Sequence, residues 1–208
     1  MPQLPGLCAR ADVIATINWT NTAGLGSIWR WLREHAMPAD NPPMLFVDLS
    51  DPARRSGDDL LGALEELRLF PAVTLGLNLA EAERLGTLTG AVGVPIDPAD
   101  RDALAGAAGV LRAATGLDAV LVHTHTAAAA ADGSGSCAVA TRFVERPAIS
   151  TGAGDHFNGG FLAARLMGLS PDEALACGVD TATRFVRTGR RPTRAELIEE
   201  LRTPVRRI

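Results

Sequence analysis

Residues 149–161, Ile-Ser-Thr-Gly-Ala-Gly-Asp-His-Phe-Asn-Gly-Gly-Phe, decide how this chain is read. Gly152, Ala153 and Gly154 let a backbone approach a ligand closely, and Asp155 follows at once. Phe157, Phe161, Leu162, Arg165 and Leu166 then recur at helical spacing. A glycine-rich turn that opens a helix points free N–H groups at one spot, which attracts phosphate. A carboxylate beside such a spot repels phosphate, unless it takes a proton from a hydroxyl attacking that phosphate. Asp155 is equally a candidate helix N-cap, a role that stabilises by about 1 kcal/mol. The local residues leave both readings open.

Outward from this stretch, short apolar runs alternate with helical patterns. Residues 12–17, 44–49, 72–77 and 118–124 are predicted strands, and helices are predicted at 24–36, 56–68, 80–88 and 98–115. Buried strands separated by crossover helices imply an α/β protein, a mainly parallel sheet with helices on both faces. The alanine run 127–131 leads into a turn, Asp132-Gly133-Ser134-Gly135, and 136–144 is expected to return as a hairpin. Ser170-Pro171-Asp172-Glu173 forms a capping box that opens a helix which Gly189 can stop, and Thr193-Arg194-Ala195-Glu196 opens the last helix. Internal repeats and low-complexity linkers are absent from the sequence.

Composition narrows the chemistry. The 208 residues suit one domain, and 47% hydrophobic residues are enough for a real core. With 20 basic and 24 acidic residues the net charge is −4, so no basic face advertises nucleic acid or a membrane surface. All the basic residues are Arg, and Lys and Tyr are missing. Schiff-base lysine, phosphate-loop lysine and tyrosine chemistry are thereby excluded. Cys8, Cys137 and Cys177 have neither metal-ligand nor redox spacing. No apolar run is long enough to span a membrane and no signal pattern is present, so a cytoplasmic protein is expected.

In open sheets of this kind, ligands sit beyond the carboxyl ends of the strands. The loops there are Asn18-Trp19-Thr20-Asn21, Ser50-Asp51-Pro52-Ala53-Arg54, Asn78-Leu79-Ala80-Glu81 and His123-Thr124-His125-Thr126. Asn78 and Glu81, three apart in a first helical turn, suit a hydrated Mg²⁺, and equally suit ordinary helix capping. Arg30, Arg33, Arg54 and Arg55 read as solvated faces rather than phosphate clamps.

Taken together, these segments resemble the ribokinase-like (PfkB) family of carbohydrate kinases. Asp51-Pro52-Ala53-Arg54 is similar to that family's Asp-Pro-Asn-x-Arg loop, Asn78-x-x-Glu81 to its Asn-x-x-Glu motif, and Gly152-Ala153-Gly154-Asp155 with its helix to the family signature. The resemblance implies a three-layer ribokinase-like fold over residues 1–208 as one kinase domain. It also implies transfer of the γ-phosphate of ATP to a hydroxyl of a sugar or small polyol. Asp155 would be the general base, and the N–H groups of Gly152, Ala153 and Gly154 the anion hole. Asn78, Glu81, His123, Thr124 and His125 would contact the cofactor, with Glu81 reaching Mg²⁺ through water. Asn18 and Asn21 are the candidates for sugar contact.

The sequence departs from the family at four places. Ile149 stands where the family has Asp, so no potassium site is expected. Ala53 replaces the usual Asn, and His123-Thr124-His125 replaces a Thr-x-Gly nucleotide loop. The chain also begins where the family's second half does. The N-terminal strands, double-glycine sugar motif and lid are missing from it, and the resulting apolar sheet edge would need a missing N-terminal segment or a second copy to cover it. A catalytically silent nucleotide-binding or regulatory protein is the alternative reading. A dinucleotide oxidoreductase is disfavoured, because Gly24-Leu25-Gly26 has no third glycine in place.

Overall fold

The computed structural model describes residues 3–91 and 96–202. The chain divides into two compact units, Met1–Pro95 with Gly109–Leu121, and Ile96–Ala108 with Val122–Ile208.

The first unit is built on parallel strands β1 (Val13–Ile17), β2 (Met44–Asp48) and β3 (Val73–Asn78). Val13 pairs with Met44 and Ile17 with Asp48, while Leu45 pairs with Val73 and Asp48 with Gly76. Ile17, Asp48 and Gly76 therefore lie level, and the loops that follow leave from one edge. In β3 Val73, Leu75 and Leu77 are buried, and so is Thr74 of the opposite face, so both faces are covered. Helix α1 (Leu4–Cys8) precedes β1. Helix α2 (Leu25–His35) buries Leu25, Trp29 and Leu32, one stripe at helical spacing. The Trp29 indole N–H donates to Thr16 Oγ1 at 2.9 Å, which satisfies the one polar atom of a fully buried side chain. Helix α3 (Gly57–Leu67) buries Leu60, Ala63, Leu64 and Leu67 behind a Ser56–Asp59 capping box. Helix α4 (Leu79–Thr89) ends at Gly90, whose φ of 68° is left-handed. Helix α5 (Arg101–Thr115) and strand β4 (Ala119–His123) contribute to both units, and the sheet order runs β1-β2-β3-β4-β5-β6.

In the second unit β5 (Ala127–Asp132) and β6 (Gly135–Ala140) form the expected antiparallel hairpin, with Asp132 opposite Gly135. All five alanines of β5 are buried, on both faces. The return strand stops at Ala140 rather than 144, and two residues on, Arg142 forms an ion pair with buried Asp180. Helices α6 (Ala153–Leu166), α7 (Pro171–Thr188) and α8 (Arg194–Arg202) complete this unit. Ser170 N–H donates to Glu173 and Thr193 N–H to Glu196, both at 2.9 Å, as the two capping patterns predict. Helices α6 and α7 approach closely because a Cβ on Gly160 would stand 2.8 Å from the Cys177 carbonyl, and one on Gly178 would stand 2.9 Å from the Phe157 ring. Arg184 pairs with Glu196 at 2.7 Å, and Arg187 with Glu200, holding α8 to α7.

Candidate active site

The turn into α6 is made by Gly152, whose φ of 90° an L side chain rarely adopts. Gly152 is therefore the N-cap, and Asp155 is the third residue of the helix. That rules out Asp155 as the cap. Its carboxylate is exposed, and among the described residues it makes no hydrogen bond or ion pair. The Ala153 N–H donates to the Ser150 carbonyl at 3.2 Å, within the turn itself. The N–H groups of Gly152, Gly154 and Asp155 find no acceptor among the described residues, so these three, rather than Ala153, stand free at the positive end of a 14-residue helix.

His123, at the end of β4, lies against this turn. A Cβ on Gly154 would stand 3.2 Å from its Cε1 and 3.4 Å from its Nε2. Its ring is also 5.2 Å from that of Phe157, tilted by 45°. Burial, and then the nearby His125, push its pKa down to about 4, so the imidazole is neutral at pH 7. The Thr124 hydroxyl donates to the Ala127 carbonyl at 3.0 Å and accepts the Thr126 N–H at 3.1 Å, which commits it to the loop. His125 is exposed, and its carbonyl accepts the Thr141 hydroxyl. Of the three loop residues, only His123 is seen to touch the turn.

In the first unit Asn78 and Glu81 meet in a reciprocal box. Asn78 Oδ1 accepts the Glu81 N–H at 3.0 Å. Glu81 accepts the Asn78 N–H at 2.9 Å and its side-chain amide at 2.7 Å. The pair is thus a helix cap, as one reading of the sequence had it, but an unusual one, because Glu81 is buried. Burial first, then the charges of Asp48 and Asp51, raise its pKa to about 7. Asp48 also accepts the Ser50 N–H at 2.8 Å, and Asp51 the Ala53 N–H at 3.0 Å. Among the described residues no three metal-ligating side chains are grouped to hold an ion directly.

Asn18 (φ 62°) and Asn21 lie after β1, where Asn21 donates its amide to Asn18 Oδ1 at 2.7 Å and accepts Arg54 at 3.0 Å. Arg30 and Arg33 are surface partners of Glu66, as expected of a solvated face. Arg55 is a correction: its guanidinium bonds the Trp19 and Thr20 carbonyls at 3.1 Å and lies 4.7 Å over the Trp19 ring, so it clamps the loop after β1. Sequence reasoning also passed over His156 and Phe185. The His156 ring stacks on Phe185 at 3.6 Å, with Nδ1 2.8 Å from the Gly152 carbonyl. The signal was a histidine one helical turn after the turn glycine.

A mixed six-stranded sheet with helices on both faces is the ribokinase-like fold. A PfkB protein from Polaromonas sp. JS666 superposes with a TM-score of 0.66 at 23% identity, over 93% of this chain and 59% of that one. Phosphofructokinase-2 from Escherichia coli superposes at 0.68 with 16% identity, over 96% and 60%. The ribokinase-like fold expected from the sequence is therefore present. The description of prokaryotic ketohexokinases matches residues 3–203, and the chain belongs to that family. A ketohexokinase from Haloferax volcanii is 28% identical over 202 residues, 95% of this chain and 52% of that protein. The chain thus spans about half the length of the curated relative that it matches.

Proposed function

We propose that this chain carries the phosphoryl-transfer centre of an ATP-dependent carbohydrate kinase. The observation that carries the reading is an exposed carboxylate in the first turn of a long helix, without a partner among the described residues, beside three N–H groups without acceptors among them. An acceptor hydroxyl oxygen attacks the γ-phosphorus, the bond from phosphorus to the ADP oxygen breaks, and the hydroxyl proton passes to Asp155. The N–H groups of Gly152, Gly154 and Asp155 stabilise the charge that builds on the phosphoryl oxygens, with the helix dipole behind them. Neutral His123 lines the same turn without repelling or neutralising the base.

Mg²⁺ fits the acidic residues of the first unit. Asp48 and Asp51 raise the pKa of buried Glu81, and a cation nearby relieves that repulsion. Glu81, held by Asn78, would keep the ion through its water. Asn18 and Asn21 remain the proposed acceptor contacts. The curated relative is named a ketohexokinase, so ketohexoses are the first acceptors to test, in a cytoplasmic setting. Because the chain spans about half of that relative, a silent nucleotide-binding protein is the second reading, and a second copy or further segment is the proposed partner.

The test is ATP turnover with and without ketohexoses, aldoses and nucleosides, on wild type and Asp155→Asn. Sugar-dependent ADP release that falls by about 10²-fold or more in Asp155→Asn, with the melting temperature kept, supports the base role. Sugar-dependent turnover that survives the substitution refutes it. ATP binding without turnover favours the silent protein.

A further inference from the structure

We infer that His156 is a positioning residue that locks the anion-binding turn, an inference that rests on the proposed phosphoryl site. The Gly152 carbonyl oxygen receives two hydrogens from this one residue. The His156 N–H reaches it at 3.1 Å and Nδ1 at 2.8 Å. A carbonyl only accepts, so Nδ1 carries the proton and, in the neutral ring, Nε2 is the bare nitrogen. The imidazole also lies flat on Phe185, with centroids 3.6 Å apart and planes 9° from parallel. The same Phe185 ring closes on the turn, since a Cβ on Gly152 would stand 3.4 Å from its Cε1.

These contacts fix what glycine leaves loose. A glycine at φ 90° and ψ 1° can leave that conformation at little steric cost. The peptide unit after Gly152 is planar, so holding its carbonyl also orients the Ala153 N–H, which meets the Ser150 carbonyl. With that plane set, the helix starts from a fixed direction, and the Gly154 and Asp155 N–H groups of its first turn are aimed with it. The approach to the turn is anchored to the same part of α7, where the Val186 carbonyl accepts the N–H groups of Ala148 at 2.8 Å and Ile149 at 3.3 Å. Phe185 and Val186 thus hold both the approach and the turn. A site whose donors are already aimed loses less freedom when the anion arrives.

The experiment compares the wild-type chain with His156→Phe, which keeps a flat ring for Phe185 and removes the donor, and His156→Asn, which returns a donor near the place of Nδ1. MgATP affinity is measured by calorimetry, the amides of Gly154 and Asp155 are followed by NMR, and the imidazole tautomer is read from its nitrogen shifts. Expected are an Nδ1–H tautomer in the wild type, a loss of MgATP affinity of about five- to tenfold in His156→Phe, and recovery of most of it in His156→Asn. The Gly152 carbonyl keeps its backbone donor throughout, so melting temperatures should stay within about 4 °C. Unchanged affinity in His156→Phe, an Asn variant as weak as the Phe variant, or an Nε2–H tautomer overturns this proposal alone. A wild type that binds no MgATP overturns the phosphoryl-site reading and this one with it.

Discussion

Two adjacent glycines of α6 should respond in opposite directions to the same methyl group. Gly159 is exposed in the helix, and a Cβ there meets nothing within 4 Å. Gly159→Ala therefore gains only helix propensity, up to about 1 kcal/mol, which raises the melting temperature of a chain this size by about 2–4 °C. Gly160 faces α7, where a Cβ would lie 2.8 Å from both the Cys177 carbonyl oxygen and the Thr181 Cβ. It would also crowd the buried hydrogen bond that the Thr181 hydroxyl donates to that carbonyl at 2.7 Å. Overpacking against backbone costs about 1–3 kcal/mol, and a disturbed buried hydrogen bond adds about 1. Less the same propensity gain, Gly160→Ala should lose about 1–3 kcal/mol and melt about 2–12 °C lower. Calorimetric melting of the two variants beside wild type reads the difference. Since α6 begins at the turn and α7 carries Phe185, turnover should fall with Gly160→Ala and hold with Gly159→Ala. A Gly160→Ala variant that melts at or above wild type would refute the close approach of the helices and the packing argument with it.

The other predictions concern charge. Arg142→Met should leave Asp180 buried without its cation, a loss of about 3–5 kcal/mol in urea unfolding, whereas adding Asp180→Leu should restore part of it. Burial already raises the Asp180 pKa despite Arg142, which is the direction that makes an orphaned carboxylate costly. Glu81 is raised from 4.5 to about 7, so the folded state holds the extra proton between those values. Its contribution is full below pH 4.5 and is lost as pH rises through 7, about 3 kcal/mol in all, and a pH series of unfolding midpoints should lose this slope in Glu81→Gln. Mg²⁺ should accordingly stabilise the wild type more at pH 8 than at pH 6. His123 runs the other way. Its pKa is lowered from 6.5 to about 4, so its contribution is present above pH 6.5 and lost as pH falls through 4. An NMR titration that finds His123 half-protonated at pH 6 or above would contradict its burial against Gly154.

The alternation of apolar runs was enough to find the parallel strands and their crossover helices, because burial on both faces leaves little room for polar residues. Two segments resist such reading. Ala127–Ala131 is a run of the best helix formers, yet it forms a fully buried strand. Intrinsic preference is weak beside the fit of small side chains on both faces of a crowded sheet, and the following Asp-Gly-Ser-Gly turn was the signal that counted. Leu4–Cys8 forms a helical turn through Pro5 and Gly6, residues that argue against one. Its Pro lies in the first turn, where a missing N–H is harmless.

At the candidate site, residue types were legible and contacts were not. Gly152 and Asp155 stood out because a glycine-rich turn into a helix suits an anion, and an acid beside it suits a base. Whether Asp155 capped the helix depended on which residue took the left-handed conformation, a backbone fact that the sequence Gly-Ala-Gly leaves open. The same limit hid His156, whose part comes from Phe185, 29 positions along on α7. Such pairs carry no local pattern, since helix packing alone brings them together. Asn78 and Glu81 show the converse case. Their spacing suits a cap or a cation site, and the geometry shows the cap. The cap is what holds a buried carboxylate in place, and the cost of desolvating that carboxylate is what raises its pKa, a consequence of three-dimensional burial that the spacing alone does not carry.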